Sequence, residues 1–150
     1  MKALIRSEMT VEPFSITKDV TIGDAQEVMR SWGMRHLPVV DGWKLVGVVS
    51  DRDIQKALAT RFSGKTEVQQ IMSAPPYHVG LNANVAEVAQ VMAQRKIGCA
   101  IVTNEKNEVL GIFTTTDALN LLAKIILQPA EFEYARLTLA DFLSWPRQVV

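Results

Sequence analysis

Gly47-Val-Val-Ser-Asp-Arg-Asp53 returns in altered form as Gly111-Ile-Phe-Thr-Thr-Thr-Asp117, and this pair of stretches organises the chain. In each, a glycine and two apolar residues run into a hydroxyl residue, and a carboxylate follows three positions later. Such a run marks a strand that delivers the chain into a helix N-terminus. Outward from this pair, the sequence matches itself at an offset of 63 residues up to Asp41 and of 64 beyond it. Met9, Pro13, Ile16, Val28, Met29 and Val39 fall on Met72, Pro76, Val79, Val91, Met92 and Val102; Gly47, Ser50 and Asp53 fall on Gly111, Thr114 and Asp117. The extra residue lies between Val40-Asp-Gly-Trp-Lys44 and Thr103-Asn-Glu-Lys-Asn-Glu108, turns that absorb insertions without moving the strands.

Each repeat opens with a Pro-containing extended stretch and then a helix-start signal, Thr21 with Asp24 and Asn84 with Glu87. Ile22, Ala25, Val28, Met29 and Trp32 recur at spacings of three and four, as do Val85, Val88, Ala89 and Met92, so one buried face per helix is expected. Gly33 suits the end of the first helix. Leu37 to Val40 and Leu45 to Val49 read as strands hinged on Asp41-Gly42, matched by Ala100 to Val102 and Val109 to Phe113. A closing helix is expected from about Arg52 to Ala59 and from Thr115 to Leu127. The fold class is therefore α/β (α+β): two units of extended segment, helix, strand, strand and helix. Units of this size bury too little surface alone and should pack against each other as a pseudo-twofold module.

Composition agrees with an ordinary globular chain: 150 residues, 48% apolar, 21% charged, with 16 basic residues against 16 acidic. This balance disfavours nucleic acid as a partner. The apolar runs fall short of the roughly 20 residues needed to span a bilayer, so no membrane insertion is expected. A single cysteine and no secretory leader fit a cytoplasmic location.

Two readings of Ser50 with Asp53, and of Thr114 with Asp117, stand together. Each is a helix N-cap with an acidic first turn. Each also places a hydroxyl and a carboxylate at a junction where free helical N–H groups favour anions, and a carboxylate can hold two adjacent ribose hydroxyls.

The chain resembles a tandem pair of cystathionine-β-synthase (CBS) domains. The resemblance rests on Met34-Arg-His-Leu-Pro-Val-Val-Asp-Gly42, Leu45-Val-Gly-Val-Val-Ser-Asp-Arg-Asp53, Ile97-Gly-Cys-Ala-Ile-Val-Thr103 and Val109-Leu-Gly-Ile-Phe-Thr-Thr-Thr-Asp117. It covers residues 5–62 as unit 1 and 66–127 as unit 2, and the compact layout is similar to small bacterial proteins of the acetoin-utilisation type. It implies a regulatory module whose clefts take AMP, ADP, ATP or S-adenosylmethionine, with no obligatory cofactor, paired as a homodimer or with a regulated enzyme or transporter. Position by position, Asp53 and Asp117 match the ribose-binding acid, and Ser50 and Thr114 the hydroxyl before it. Ile16, Thr17, Val79 and Gly80 match the segment beside the base. Arg35, His36, Leu37 and Pro38 match the stretch that meets the adenine edge and reaches phosphate, with Arg52 a further phosphate contact. In the second unit Gly98, Cys99, Ala100 and Ile101 stand in that stretch, and Thr116 replaces Arg52. The cleft of Asp53 is therefore expected to bind more tightly than that of Asp117.

No nucleophile, base and orienting group converge in the sequence, and neither phosphate-loop glycine pattern occurs, so an enzyme is not expected. Cys99 is expected as a buried thiol and His78 as exposed. Two separated histidines and one cysteine make no metal site. Residues 128–150 carry Phe132, Tyr134, Leu137, Phe142 and Trp145 and are expected to dock, to dimerise or to open a further truncated unit. The competing class is a ligand-free interaction module working through this tail and the outer helices.

Overall fold

The computed structural model describes residues 3–127, so the expectations for residues 128–150 lie outside the described residues. Residues up to Ala118 belong to one compact unit, and a second begins at Leu119, inside the last described helix.

The elements run in chain order as α1 (Ile5–Glu8), β1 (Thr10–Val11), β2 (Ile16–Thr17), α2 (Ile22–Trp32), β3 (His36–Asp41), β4 (Lys44–Ser50) and α3 (Asp51–Leu58). A 3-10 turn at Val68–Gln70 then precedes β5 (His78–Gly80), α4 (Val85–Arg95), β6 (Cys99–Thr103), β7 (Val109–Thr114) and α5 (Thr115–Leu127). The helices start where expected. Thr21 accepts from the Asp24 N–H, while Asn84 accepts from the Ala86 N–H, one residue short of Glu87. Gly33 ends α2 in the left-handed region at φ 65°, where a side chain would be strained. Its repeat counterpart Lys96 takes the same conformation at φ 55°.

Three strands form one sheet in the order β2-β3-β4, and four form the other in the order β1-β7-β6-β5. The hairpins share their irregularity: the register shifts between Val39 and Val40 in one and between Val102 and Thr103 in the other. The first hairpin feeds two apolar layers. Val46 and Val49 join the core of Ile22, Met29, Leu37 and Ile54, whereas Leu45 and Val48 pack with Cys99, Ile101 and Ile112 of the second repeat.

The opening segments are exchanged between the repeats. β1 pairs antiparallel with β7, and Ser73 bridges to Val48 in β4. Around the exchange the hydrogen bonds come in twins. Ile5 N–H donates to the Ala83 carbonyl and Val68 N–H to the Val20 carbonyl, both at 2.8 Å. Val85 N–H reaches Ala3 at 3.0 Å as Ile22 N–H reaches Thr66 at 2.7 Å. Val68 is fully buried in the first repeat's core, so each repeat completes the other.

One expectation fails. Trp32, assigned to the buried face of α2, is 68% exposed. It is the last helical residue, just before the left-handed Gly33, and lies beyond the surface that covers Ile22, Ala25 and Met29.

Candidate functional site

The strand-to-helix junctions at Ser50 and Thr114 are built alike. Ser50 is the last residue of β4 and caps α3: the Asp53 N–H donates to its Oγ at 3.1 Å. The Asp53 carboxylate returns the bond through Oδ2, accepting from the Ser50 N–H at 2.9 Å and from the Ser50 hydroxyl at 2.6 Å. Thr114 and Asp117 repeat the box, with Oδ2 accepting from N–H and hydroxyl, both at 2.7 Å, and the Asp117 N–H donating at 3.3 Å. The capping reading therefore holds in both repeats. It commits one carboxylate oxygen of each acid, and Oδ1 takes no part in either box.

Both junctions are tied to the start of the neighbouring strand. The Asp51 N–H donates to the Arg35 carbonyl and the Thr115 N–H to the Gly98 carbonyl, each at 3.0 Å. His36 lies opposite Ser50 and Cys99 opposite Thr114 across the ladders. The structure thus gathers Arg35, His36, Ser50 and Asp53 at one end of one sheet, and Gly98, Cys99, Thr114 and Asp117 at the matching end of the other.

Burial separates what side chains can do from what the backbone can do. Leu37, Pro38, Cys99 and Ala100 are buried, so their side chains are not open to a ligand. Arg35, Arg52 and Thr116 are exposed; His36, Ser50, Asp53, Thr114 and Asp117 are half-buried. Burial lowers the His36 pKa, while Asp51 and Asp53 push it back up and Arg35 lowers it. Burial also drives the Cys99 thiol up to about 12, with the Asp53 carboxylate adding to the rise. Asp53 is thus felt at equivalent positions of both repeats. His78 is exposed, and its Nδ1 lies 3.2 Å from the Thr103 hydroxyl.

The other four site residues stand apart from this gathering. Ile16 pairs with Val39 and Val79 with Val102, each three residues along its strand from His36 or Cys99, about 10 Å away. Ile16 is buried, and the Thr17 hydroxyl serves the Asp19 carboxylate. Because β2 runs parallel to β3 and β5 to β6, the residues nearer the junctions are those just before these strands. Those residues are Phe14, 45% exposed, and Tyr77, whose carbonyl accepts from the Ile101 N–H at 3.0 Å and whose ring Arg95 overlies at 5.5 Å. Sequence reading passed them over, although Phe14 and Tyr77 are aromatic in register and each follows a proline. It gave no sign either of an open groove of about 320 Å³ between α2 and α3, lined by Gln26, Met29, Arg30, Met34, Asp51, Ile54 and Gln55.

Comparison with known proteins bears on this paired architecture. The model of the CBS domain matches the chain twice, over residues 4–60 and 68–124. The chain belongs to the CBS domain family. This CBS pair is 34% identical over 114 residues, 76% of the chain, to an inosine-5'-monophosphate dehydrogenase of Korarchaeum cryptofilum. It spans only 22% of that enzyme's length. A Vibrio cholerae protein assigned to acetoin utilization (AcuB) shares the fold with a TM-score of 0.76 at 28% identity, over 84% of this chain and 94% of its own. The CBS pair of protein MJ0100, solved with 5'-methylthioadenosine and S-adenosyl-L-methionine, superposes with a TM-score of 0.77 at 27% identity, covering 83% and 99%. Among the described residues, no three His, Cys, Asp or Glu are grouped to hold a metal ion, and no helix is long and apolar enough to cross a membrane.

Proposed function

We propose that this CBS pair is a non-enzymatic regulatory module that binds an adenosine-containing ligand, with AMP, ADP or ATP foremost and S-adenosylmethionine as the alternative. The observation that carries the reading is the capping box of Asp53. One carboxylate oxygen is fixed by Ser50, which sets the side chain rigidly, and the second remains for a pair of ribose hydroxyls. The related MJ0100 pair with its adenosyl ligands supports the chemical class. His36, Arg35 and Arg52 supply positive charge for phosphate in the first cleft. The cleft of Asp117, with Gly98 and Thr116 in place of Arg35 and Arg52, binds more weakly. Occupancy passes to a homodimer interface, or to an enzyme or transporter partner in the cytoplasm, through the different affinities of the ligand for two arrangements of the module.

The test is a thermal-shift series with adenosine, AMP, ADP, ATP, NAD and S-adenosylmethionine. A ligand at a hundred times its dissociation constant adds about 2.7 kcal/mol. The expected result is a rise in Tm with at least one of them, reduced in Asp53→Ala to what the weaker cleft of Asp117 supports. Ser50→Ala costs about 1 kcal/mol of cap energy and frees the Asp53 carboxylate, so it weakens binding without abolishing it. A second reading, a ligand-free interaction module, draws on the exposed Leu119, Leu122, Ile125 and Ile126 of α5 together with residues 128–150. It requires stripped, folded protein to show no shift with any of the six compounds.

A further inference from the structure

One side chain of the first candidate site touches the second repeat. His36 opens β3 in the first repeat, and its ring lies directly against Gly98 of the second: a Cβ built on Gly98 would fall on the imidazole, with Nε2 and Cε1 nearest. Gly98 stands where Arg35 stands one repeat earlier, and the carbonyls of both accept the first N–H of the following helix at 3.0 Å. The space that a basic side chain would need in the second repeat is thus filled by His36 of the first. The second repeat carries no cation at the positions that match Arg35, His36 and Arg52. Cys99 replaces His36 as a buried neutral thiol, and Thr116 replaces Arg52.

We propose that His36 is shared by the two clefts, so that they compete for its imidazole whenever both hold a phosphate-bearing ligand. This rests on the adenosine-ligand reading above. A phosphate drawn out of water needs a cation or several donors close to it. One imidazole can direct its Nε2–H to one phosphate. A nucleotide in the cleft of Asp53 draws the ring to itself, and a second nucleotide in the cleft of Asp117 then binds without it. The antagonism belongs to the phosphate, since a nucleoside makes no claim on the ring. By linkage it is the same size whichever cleft fills first. The glycine at 98 is what permits the sharing, because any side chain there would displace the ring.

Titration calorimetry of the full chain with AMP and with adenosine tests this, in wild type, Asp53→Ala and His36→Asn. The expected result is two AMP steps in wild type, the second about fivefold or more weaker than the single step left in Asp53→Ala, a coupling in the usual range. A wild type that takes one AMP while Asp53→Ala also takes one is the same antagonism at its limit. With adenosine, the second wild-type step and the Asp53→Ala step coincide. In His36→Asn, which keeps a donor but cannot carry charge, the later AMP step matches that of the His36→Asn/Asp53→Ala double variant. Equal constants for the second wild-type AMP step and the Asp53→Ala step overturn the sharing and leave the ligand reading intact, as does an Asp53→Ala protein that binds no AMP while wild type binds one. Folded wild type that binds neither compound sinks both.

Discussion

Met72 lays its thioether against the Cα of Gly47, and Met9 does the same at Gly111. The two contacts are repeat images of each other, and each crosses between repeats, because Met9 and Met72 sit on the exchanged opening segments. They are the points where the halves of the module lock.

Substituting alanine at either glycine drives a methyl group into the methionine, and overpacking of this kind costs about 1–3 kcal/mol. The neighbours differ in one respect. The nearest atoms at Gly111 all belong to the Met9 side chain, whereas at Gly47 the Ser73 carbonyl oxygen also stands 3.2 Å from the added Cβ. In urea melts, Met9→Ala should therefore couple strongly and favourably with Gly111→Ala in a double-mutant cycle. Met72→Ala should rescue Gly47→Ala only in part, since backbone cannot step aside. Equal and complete rescue at both sites would show that the Ser73 carbonyl does not constrain Gly47.

Much of this fold was legible in the residues. Thr21 and Gly33 mark the ends of α2 because the cap hydroxyl and the positive φ are local requirements, and the strands extend one residue or so past their apolar runs because ladder pairing continues into His36 and Ser50. The exchange of opening segments was not legible. Met9 and Met72 repeat in register whether each packs at home or in the sister repeat, so periodicity is blind to the difference. Trp32 misled for a related reason: its spacing continues the stripe, but spacing alone does not say how far the covered surface reaches. At the site, sequence left capping and ligand binding open for Asp53 and Asp117. Only coordinates reveal that a single oxygen does the capping. The closeness of His36 to Gly98 had no signal beyond a glycine where the first repeat has arginine.

Cys99 provides a direct reading of burial. Its thiol is held at a pKa of about 12 by loss of solvent and by the Asp53 carboxylate. The thiolate is the reacting form, so at pH 8 native protein should react with iodoacetamide about a hundredfold or more slowly than the urea-unfolded chain, where the thiol returns to its ordinary range. Mass spectrometry over time measures both rates. Comparable rates would mean that the start of β6 opens readily, and the buried position of Cys99 would not be the resting state.

The acid limb of stability should carry the mark of His36. Its folded pKa lies below the ordinary 6.5 because burial disfavours the imidazolium, with Asp51 and Asp53 opposing and Arg35 assisting. Between that lowered value and 6.5 the unfolded chain binds more protons than the folded one, so stability rises with pH across this window. It is fully present above 6.5 and is lost as pH falls towards the folded pKa. The exposed carboxylates of Asp19 and Glu27, whose pKa values are lowered by hydrogen bonds from Thr17 and Arg30 respectively, act in the same direction but below their ordinary values of 3.8 and 4.5. Urea midpoints at pH 7.5, 6.5 and 5.5 isolate the histidine. Wild type should lose stability between the first and last, and His36→Asn should lose less. An identical slope in the two proteins would place the imidazole in water, which is incompatible with its packing against Gly98.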